Sequence, residues 1–206
     1  MPSRGFTLVE LLVVMTIGAI LVAAAVPSFQ WMIARNRISD ASNTLVAHLE
    51  YARMESARRG VTVSVCRSPN SDAPVPGCSS AASGAFDGND WAAGWIVFEK
   101  TGAGVDEANF EAGDGLLMRH LPASTGASRV MIHTNLPVAE RVAFPPRGTG
   151  GVVGAGTFGF DYGTPPGPVA NRALAGITLS GAGRCIAVAP LLGAVRTSVA
   201  TGGACP

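Results

Sequence analysis

The sequence predicts an α+β fold in which one long N-terminal helix packs on a C-terminal head of two small antiparallel sheets. The hydrophobic period changes twice: residues 6–26 are almost uniformly apolar, residues 27–59 repeat apolar side chains every three or four positions, and the head, 60–206, begins with alternation. Turn formers are also abundant, since 26 Gly and 14 Pro in 206 residues require many loops. A five-residue segment, 1–5, precedes the helix.

Composition narrows the function classes. Hydrophobic residues make up 48% of the chain and charged residues only 14%, so we expect part of the chain to avoid water. The formal net charge of +1 excludes the overall basicity of proteins that package nucleic acids.

The first element is the apolar run over residues 6–26, in which Glu10 is the one ionisable residue. As a helix this run would be ~31 Å long, which is close to the thickness of a bilayer core. Arg4 is the only charged residue before it. Positive charge favours the cytoplasmic side, so we expect a single membrane span with the N-terminus in the cytoplasm and the head beyond the membrane.

Glu10 bears on whether this apolar run is a signal peptide, a plain membrane anchor or a segment with a specific role. A secretory signal peptide also has a basic start, an apolar stretch and small residues before its cleavage site, and cleavage after Ala25 would release a soluble periplasmic binding module. A carboxylate inside the apolar run is costly in hydrocarbon, however, and neither a signal peptide nor a plain anchor needs it. Glu10 therefore indicates a specific role.

The hexapeptide GFTLVE at residues 5–10, the apolar run after it and Pro27 together resemble the N-terminal processing site of type IV pilin-like proteins. The resemblance implies that a prepilin peptidase cuts between Gly5 and Phe6 and that Phe6 is then N-methylated. It also implies that Pro27 bends the helix. Cleavage creates an amine at Phe6, which Glu10 of a neighbouring subunit could neutralise where an unpaired charge is costly.

The second half of the helix is amphipathic. Its expected core face is formed by Ile38, Ala41, Leu45, Leu49, Ala52 and Ser56. Arg58 and Arg59 suit a helix C-terminus, and Gly60 is expected to end the helix.

The head begins with an alternating strand at residues 61–66, which is followed by short candidate strands between Gly and Pro clusters. These candidates are 94–99, 116–120, 129–134, 141–144, 157–161, 176–180, 184–189 and 194–199.

Three further stretches are similar to one family, the H-type minor pseudopilins of type II secretion and the T- or U-type minor pilins of type IV pili, usually called GspH/FimT. They are LVAHLEYARMESARRGVTVSVC at 45–66, WAAGWIVF at 91–98 and VAFPPRG at 142–148. The resemblance implies a non-enzymatic inner-membrane protein that assembles with other pilins near the tip of a periplasmic or surface filament. It does not separate the two systems. We expect Trp91, Trp95 and Phe98 to be core aromatics.

The four cysteines allow three pairings, and none forms a C-x-x-C pair of the zinc-ribbon kind. All four follow the predicted span, so an oxidising compartment favours disulfides over reduced thiols. Proximity in sequence favours Cys66 with Cys78 and Cys185 with Cys205.

Motifs for enzyme or cofactor chemistry are weak. The stretch GAGTFG at 154–159 matches G-x-G-x-x-G, but the prolines that follow prevent the helix that a phosphate site needs. His48, His120 and His133 are scattered without a catalytic motif and are interpreted as solvated or hydrogen-bonded surface residues. We therefore expect no catalytic residue, metal, cofactor or small-molecule substrate.

Local charge suggests one alternative function. Residues 85–115 hold seven acidic residues against one lysine, a net charge of −6, without the spacing of a calcium loop, and are interpreted as a solvated acidic segment. The C-terminal part is basic, and Gly183-Arg184 matches half of the G-R-x-R element of DNA-binding relatives. Ile186 replaces the second arginine. A DNA-uptake pilin that binds DNA through Arg184 and Arg196 is thus the alternative.

Overall fold

The computed structural model describes residues 7–79, 91–101, 110–111, 113–121, 130–134, 141–146, 151–162, 183–191 and 193–199. The chain divides into two compact units, Met1–Asn36 and Arg37–Pro206.

The helix α1 spans Leu8–Arg59, which is 52 residues, and confirms the prediction of one long helix. Its first turn is capped by the Thr7 hydroxyl, which accepts a hydrogen bond from the Glu10 backbone N–H at 3.3 Å. The helix ends at Gly60, whose φ of 70° suits glycine. It continues through Pro27, and the bend expected there stays a prediction.

Over the residues that the structure describes, no helix combines the length and the apolar character needed to cross a membrane.

In the part of the chain that the structure describes, the head contains two antiparallel sheets, as predicted, and each has four strands. The strands are β1 (Val63–Arg67), β2 (Trp95–Glu99), β3 (Gly115–His120), β4 (Val130–Thr134), β5 (Arg141–Phe144), β6 (Thr157–Tyr162), β7 (Arg184–Val188) and β8 (Val195–Val199). The first sheet has the order β3-β2-β1-β5 and the second β4-β6-β7-β8. The candidate strand at 176–180 lies outside the described residues.

The main core lies between the second half of α1 and the inner faces of both sheets. From the helix it contains Ile38, Leu45, Leu49 and Ala52, and from the sheets Val63, Val65, Val97, Val130, Ile132, Val142, Phe144, Phe158, Phe160, Ile186 and Val188. Trp91 and Trp95 are fully buried in it, which confirms them as core aromatics. On the opposite face of the first sheet, Ile96 and Phe98 form a smaller core with Cys66 and Cys78, the two cysteines of one disulfide.

The segment before β6 joins the two sheets. Val153 exchanges two backbone hydrogen bonds with Ala143 of the first sheet, at 2.9 and 3.0 Å. The N–H of Val152 donates to the carbonyl of Pro190, in the turn between β7 and β8 of the second sheet, at 2.7 Å. The stretch GAGTFG is therefore a loop that leads into β6 at Thr157, and within the described residues up to Tyr162 it is followed by strand rather than helix.

Two buried serines on α1 provide a matched test of core polarity. Ser42 and Ser56 are each 1% exposed. The Ser42 hydroxyl donates to the Ser39 carbonyl at 3.0 Å, whereas the Ser56 hydroxyl has no hydrogen-bond partner among the described residues. An unsatisfied buried hydroxyl costs about 1–3 kcal/mol.

We therefore expect Ser56→Ala to raise the free energy of unfolding by about 1 kcal/mol more than Ser42→Ala does, because the helix-propensity gain is common to both changes. Urea titration of the two variants measures the difference. Equal effects would show that the Ser56 hydroxyl is satisfied in solution.

Candidate assembly surface and polar clusters of the head

The N-terminal part of α1 is apolar and exposed. Its exposed large side chains are Leu8, Val9, Leu11, Leu12, Val13, Val14, Met15, Ile17, Ile20, Leu21, Val22, Phe29, Met32 and Ile33, each at least 37% accessible to solvent. We call this set the assembly surface. A helix with apolar side chains on all sides is stable when lipid or other helices cover it, so this surface needs a partner.

Glu10 lies in the first turn of α1 and is exposed. Its carboxylate is favourably placed at the positive end of the helix dipole. Gly5 and Phe6, the predicted cleavage and methylation positions, lie outside the described residues.

The head contains the first predicted disulfide. Cys66 on β1 is bonded to Cys78, with their Cα atoms 5.6 Å apart, so this pairing is confirmed. Cys185 on β7 is buried and is also disulfide-bonded. Its predicted partner, Cys205, lies outside the described residues, so that pairing stays a prediction.

The loop closed by the first disulfide is fixed to β3. The Arg119 guanidinium donates to the carbonyl oxygens of Ser71, Ala73 and Pro74, at 3.3, 2.5 and 3.3 Å. The Ser71 hydroxyl donates to the backbone carbonyl of His120 at 2.9 Å. The loop is thus held by side chains as well as by the disulfide.

Two of the histidines that the sequence leaves scattered meet in the structure. His48 on α1 accepts a hydrogen bond at Nδ1 from the Trp95 Nε1–H, at 2.8 Å. His120 on β3 stacks on the Trp95 ring, with centroids 3.6 Å apart, and lies 5.9 Å from the His48 ring. Both imidazoles are half-buried, so the interpretation of these two as solvated or hydrogen-bonded surface residues is right about the hydrogen bond of His48 but not about full exposure to solvent.

Burial sets the ionisation state of this pair. Burial lowers the pKa of His48 below its usual value. Burial, and then the positive charge that His48 would carry, lower the pKa of His120 to about 4. Both rings are neutral at pH 7, which suits a nitrogen that accepts a hydrogen bond.

The three acidic residues of this segment that the structure describes are each paired with a cation, although the Glu111 side chain is also 62% exposed. Lys100, with a side chain only 3% exposed, contacts Asp114 at 3.0 Å and Glu111 at 3.3 Å. Glu99 pairs with Arg59, the last residue of α1, at 2.8 Å. Within the described ranges there is no group of three or more potential metal ligands.

The C-terminal turn of α1 is held to the first sheet by an ion-pair network. The Glu55 carboxylate accepts hydrogen bonds from Arg58 and Arg59, which lower its pKa to about 2. Arg59 continues to Glu99 on β2. The arginines that the sequence places at the C-terminal end of α1 therefore also attach this helix to the first sheet.

The two arginines of the DNA alternative lie on opposite faces of the second sheet. Arg184 has the same orientation along β7 as Ile186 and Val188, which are in the core. Arg196 is directly opposite Ala187, whose side chain points the other way. Phosphate binding needs several cations on one surface, and these two arginines do not share one.

Comparison with known proteins agrees with this architecture. The family model described as "Type II transport protein GspH" matches residues 41–190, and the model of the prokaryotic N-terminal methylation motif matches residues 1–26. No curated protein sequence matches significantly.

Two solved structures of the type IV minor pilin FimU from Pseudomonas aeruginosa are similar to the chain. One is 19% identical, with a TM-score of 0.46, and the match covers 84% of this chain and 94% of FimU. The other, in a second crystal form, is 18% identical, with a TM-score of 0.44 and coverages of 78% and 91%.

The GspH match spans most of the second half of α1 and strands β1 to β7, and the methylation motif covers the first part of the assembly surface. The chain therefore belongs to the GspH family of type II transport proteins, the minor pilins and pseudopilins of type II secretion and type IV pilus systems.

Proposed function

We propose that this chain is processed between Gly5 and Phe6, is N-methylated on Phe6 and assembles near the tip of a periplasmic filament. The observation that carries the proposal is the match of the methylation motif to residues 1–26, where the exposed apolar side chains of α1 begin. Prepilin peptidase is the processing enzyme in this account. The residues that support it are common to type II secretion and type IV pili, so the proposal covers both.

The proposed location is the inner membrane before assembly. Residues 6–26 are the segment that lipid would cover, with Arg4 on the cytoplasmic side and the head in the periplasm. The disulfide between Cys66 and Cys78 fits an oxidising compartment for the head.

In the filament, we propose that helices of neighbouring subunits replace lipid around the assembly surface. Glu10 then pairs with the Phe6 amine of the next subunit. Because both groups lie among apolar side chains, an unpaired charge at either position is costly, and pairing them fixes the register between subunits. No described contact favours DNA binding or a small-molecule substrate.

Changing Glu10 tests this role. We expect Glu10→Gln to remain in the membrane and to fall at least about tenfold in the filament fraction, because an unpaired buried charge costs several kcal/mol. Glu10→Asp, which keeps the charge, should assemble better than Glu10→Gln. Immunoblots of sheared filaments and of membranes measure both fractions.

The matched control is Asp40→Asn, which removes an exposed carboxylate from the same helix within the head unit. It should assemble as the wild type does. Wild-type assembly of Glu10→Gln would contradict the pairing with the Phe6 amine.

A further inference from the structure

Three aromatic or imidazole rings from three different elements meet beneath the second half of α1. Trp95 lies on β2 and His120 is directly opposite it on β3. His48 lies on α1 and contacts Trp95 through a hydrogen bond. Trp95 is fully buried, so its indole N–H depends on the one acceptor that it has among the described residues, Nδ1 of His48.

Protonation of His48 would remove that acceptor. A neutral imidazole that accepts at Nδ1 carries its proton on Nε2, whereas the cation has a proton on both nitrogens. The indole N–H would then face another donor in a buried position, and an unsatisfied buried donor is costly.

Other charged or titratable groups lie on the elements that form the cluster, and one of them, His120, disfavours protonation of His48. Arg67 of β1 is directly opposite Trp95 on the same face of the sheet and is fully buried. His120 is 5.9 Å from His48, so two imidazolium rings would repel each other. Arg119 lies on the other face of β3, where it is hydrogen-bonded to carbonyl oxygens of the loop closed by the first disulfide. Tyr51 lies about one helical turn beyond His48 on α1.

Glutamates on the second half of α1 and on β2 are paired with arginines rather than with the imidazoles. Among the described residues, Glu50 and Glu55 of α1 are paired with arginines of the same helix, and Glu99 of β2 is paired with Arg59. Neither imidazole has a carboxylate partner in that part of the chain, so a proton gained by the cluster is not compensated there.

We propose that His48, Trp95 and His120 form an acid-sensitive latch, which holds α1 on the first sheet at neutral pH and loosens it when the imidazoles are protonated. The pKa directions of both histidines agree with the geometry. The native head binds fewer protons than the unfolded chain between the ordinary histidine pKa, ~6.5, and the lowered values. The stabilisation of α1 on the first sheet by this cluster is therefore complete above pH ~6.5, and it is lost as the pH falls towards 4.

The test is hydrogen–deuterium exchange of the full-length protein in detergent micelles at pH 7, 6 and 5, read on the peptide that covers residues 45–52. The comparison protein carries His48→Gln and His120→Phe, which keep an acceptor for Trp95 and a stacked ring but do not titrate. Comparing the two proteins at each pH cancels the intrinsic pH dependence of exchange.

We expect the wild-type peptide to lose protection about tenfold relative to the double variant between pH 7 and 5, while peptides from β6 and β7 respond alike in both proteins. His133→Gln, on β4, is the matched control and should behave as the wild type does. The same pH response in wild type and double variant would overturn the latch. If the double variant does not fold, NMR titration of histidine-labelled wild type decides, because a pKa of 6.5 or above for both residues contradicts the proposal.

Discussion

Gly154→Ala is expected to prevent the head from folding or to lower its free energy of unfolding by more than about 3 kcal/mol. Gly154 has a φ of 74°, which an L residue adopts only with strain. A Cβ at this position would also overlap the carbonyl oxygen of Arg141, on the neighbouring strand β5. The backbone cannot move away without loss of hydrogen bonds, because both the N–H and the carbonyl of Val153 are hydrogen-bonded to Ala143.

Gly60→Ala separates the steric effect from the conformational one. Gly60 has a similar φ of 70°, but among the described residues no atom beyond its two chain neighbours lies within 4 Å of the position that a Cβ would take. We expect this change to cost only about 1 kcal/mol. Urea denaturation of both variants, followed by circular dichroism, measures the two values. Equal losses would show that the close approach of Gly154 to β5 does not matter for stability.

Lys100→Met is expected to lower the free energy of unfolding by about 3 kcal/mol, because it leaves the Asp114 carboxylate buried without its cation. The Asp114 side chain is 4% exposed and that of Lys100 is 3% exposed. Burial alone would lower the pKa of Lys100, but hydrogen bonds to Asp114 and Glu111 raise it. Burial likewise opposes ionisation of Asp114, but the Glu111 backbone N–H and Lys100 lower its pKa.

Two further variants identify the cause of that loss. Lys100→Met with Asp114→Asn should be more stable than Lys100→Met alone, because the uncompensated charge is gone. The amide oxygen of Asn can still accept from one of the two backbone N–H groups, those of Glu111 and Thr101, that the two carboxylate oxygens bind. Glu111→Gln should cost less than about 0.5 kcal/mol, since the Glu111 side chain is 62% exposed. If Asp114→Asn gave no recovery, the role of Lys100 would be packing rather than charge.

The helix and the strands were predictable because their signals are local. The apolar positions of α1 from Ile38 to Ala52 follow the helical period, and Gly60 ends the helix through its own backbone conformation. The first disulfide closes over 12 residues, so proximity in sequence was enough to indicate it.

The polar clusters were not predictable because they join positions that are distant in sequence. His48 and Trp95 are 47 residues apart and meet only because α1 lies on the first sheet. A histidine on the core side of an amphipathic helix, followed much later by a tryptophan in a buried strand, is the only sequence signal, and it does not define a partner. The opposite orientations of Arg184 and Arg196 depend on strand register, which composition does not contain.

The mass of the N-terminal peptide, measured on protein purified from its native filament or membrane, shows whether processing occurs between Gly5 and Phe6. We expect a chain that begins at Phe6 and carries one methyl group on its amine, which leaves Glu10 at the fifth position of the mature protein. A chain that begins at Val26 would show that the apolar segment is removed. Such a protein could not use the assembly surface, and the proposed function would be wrong.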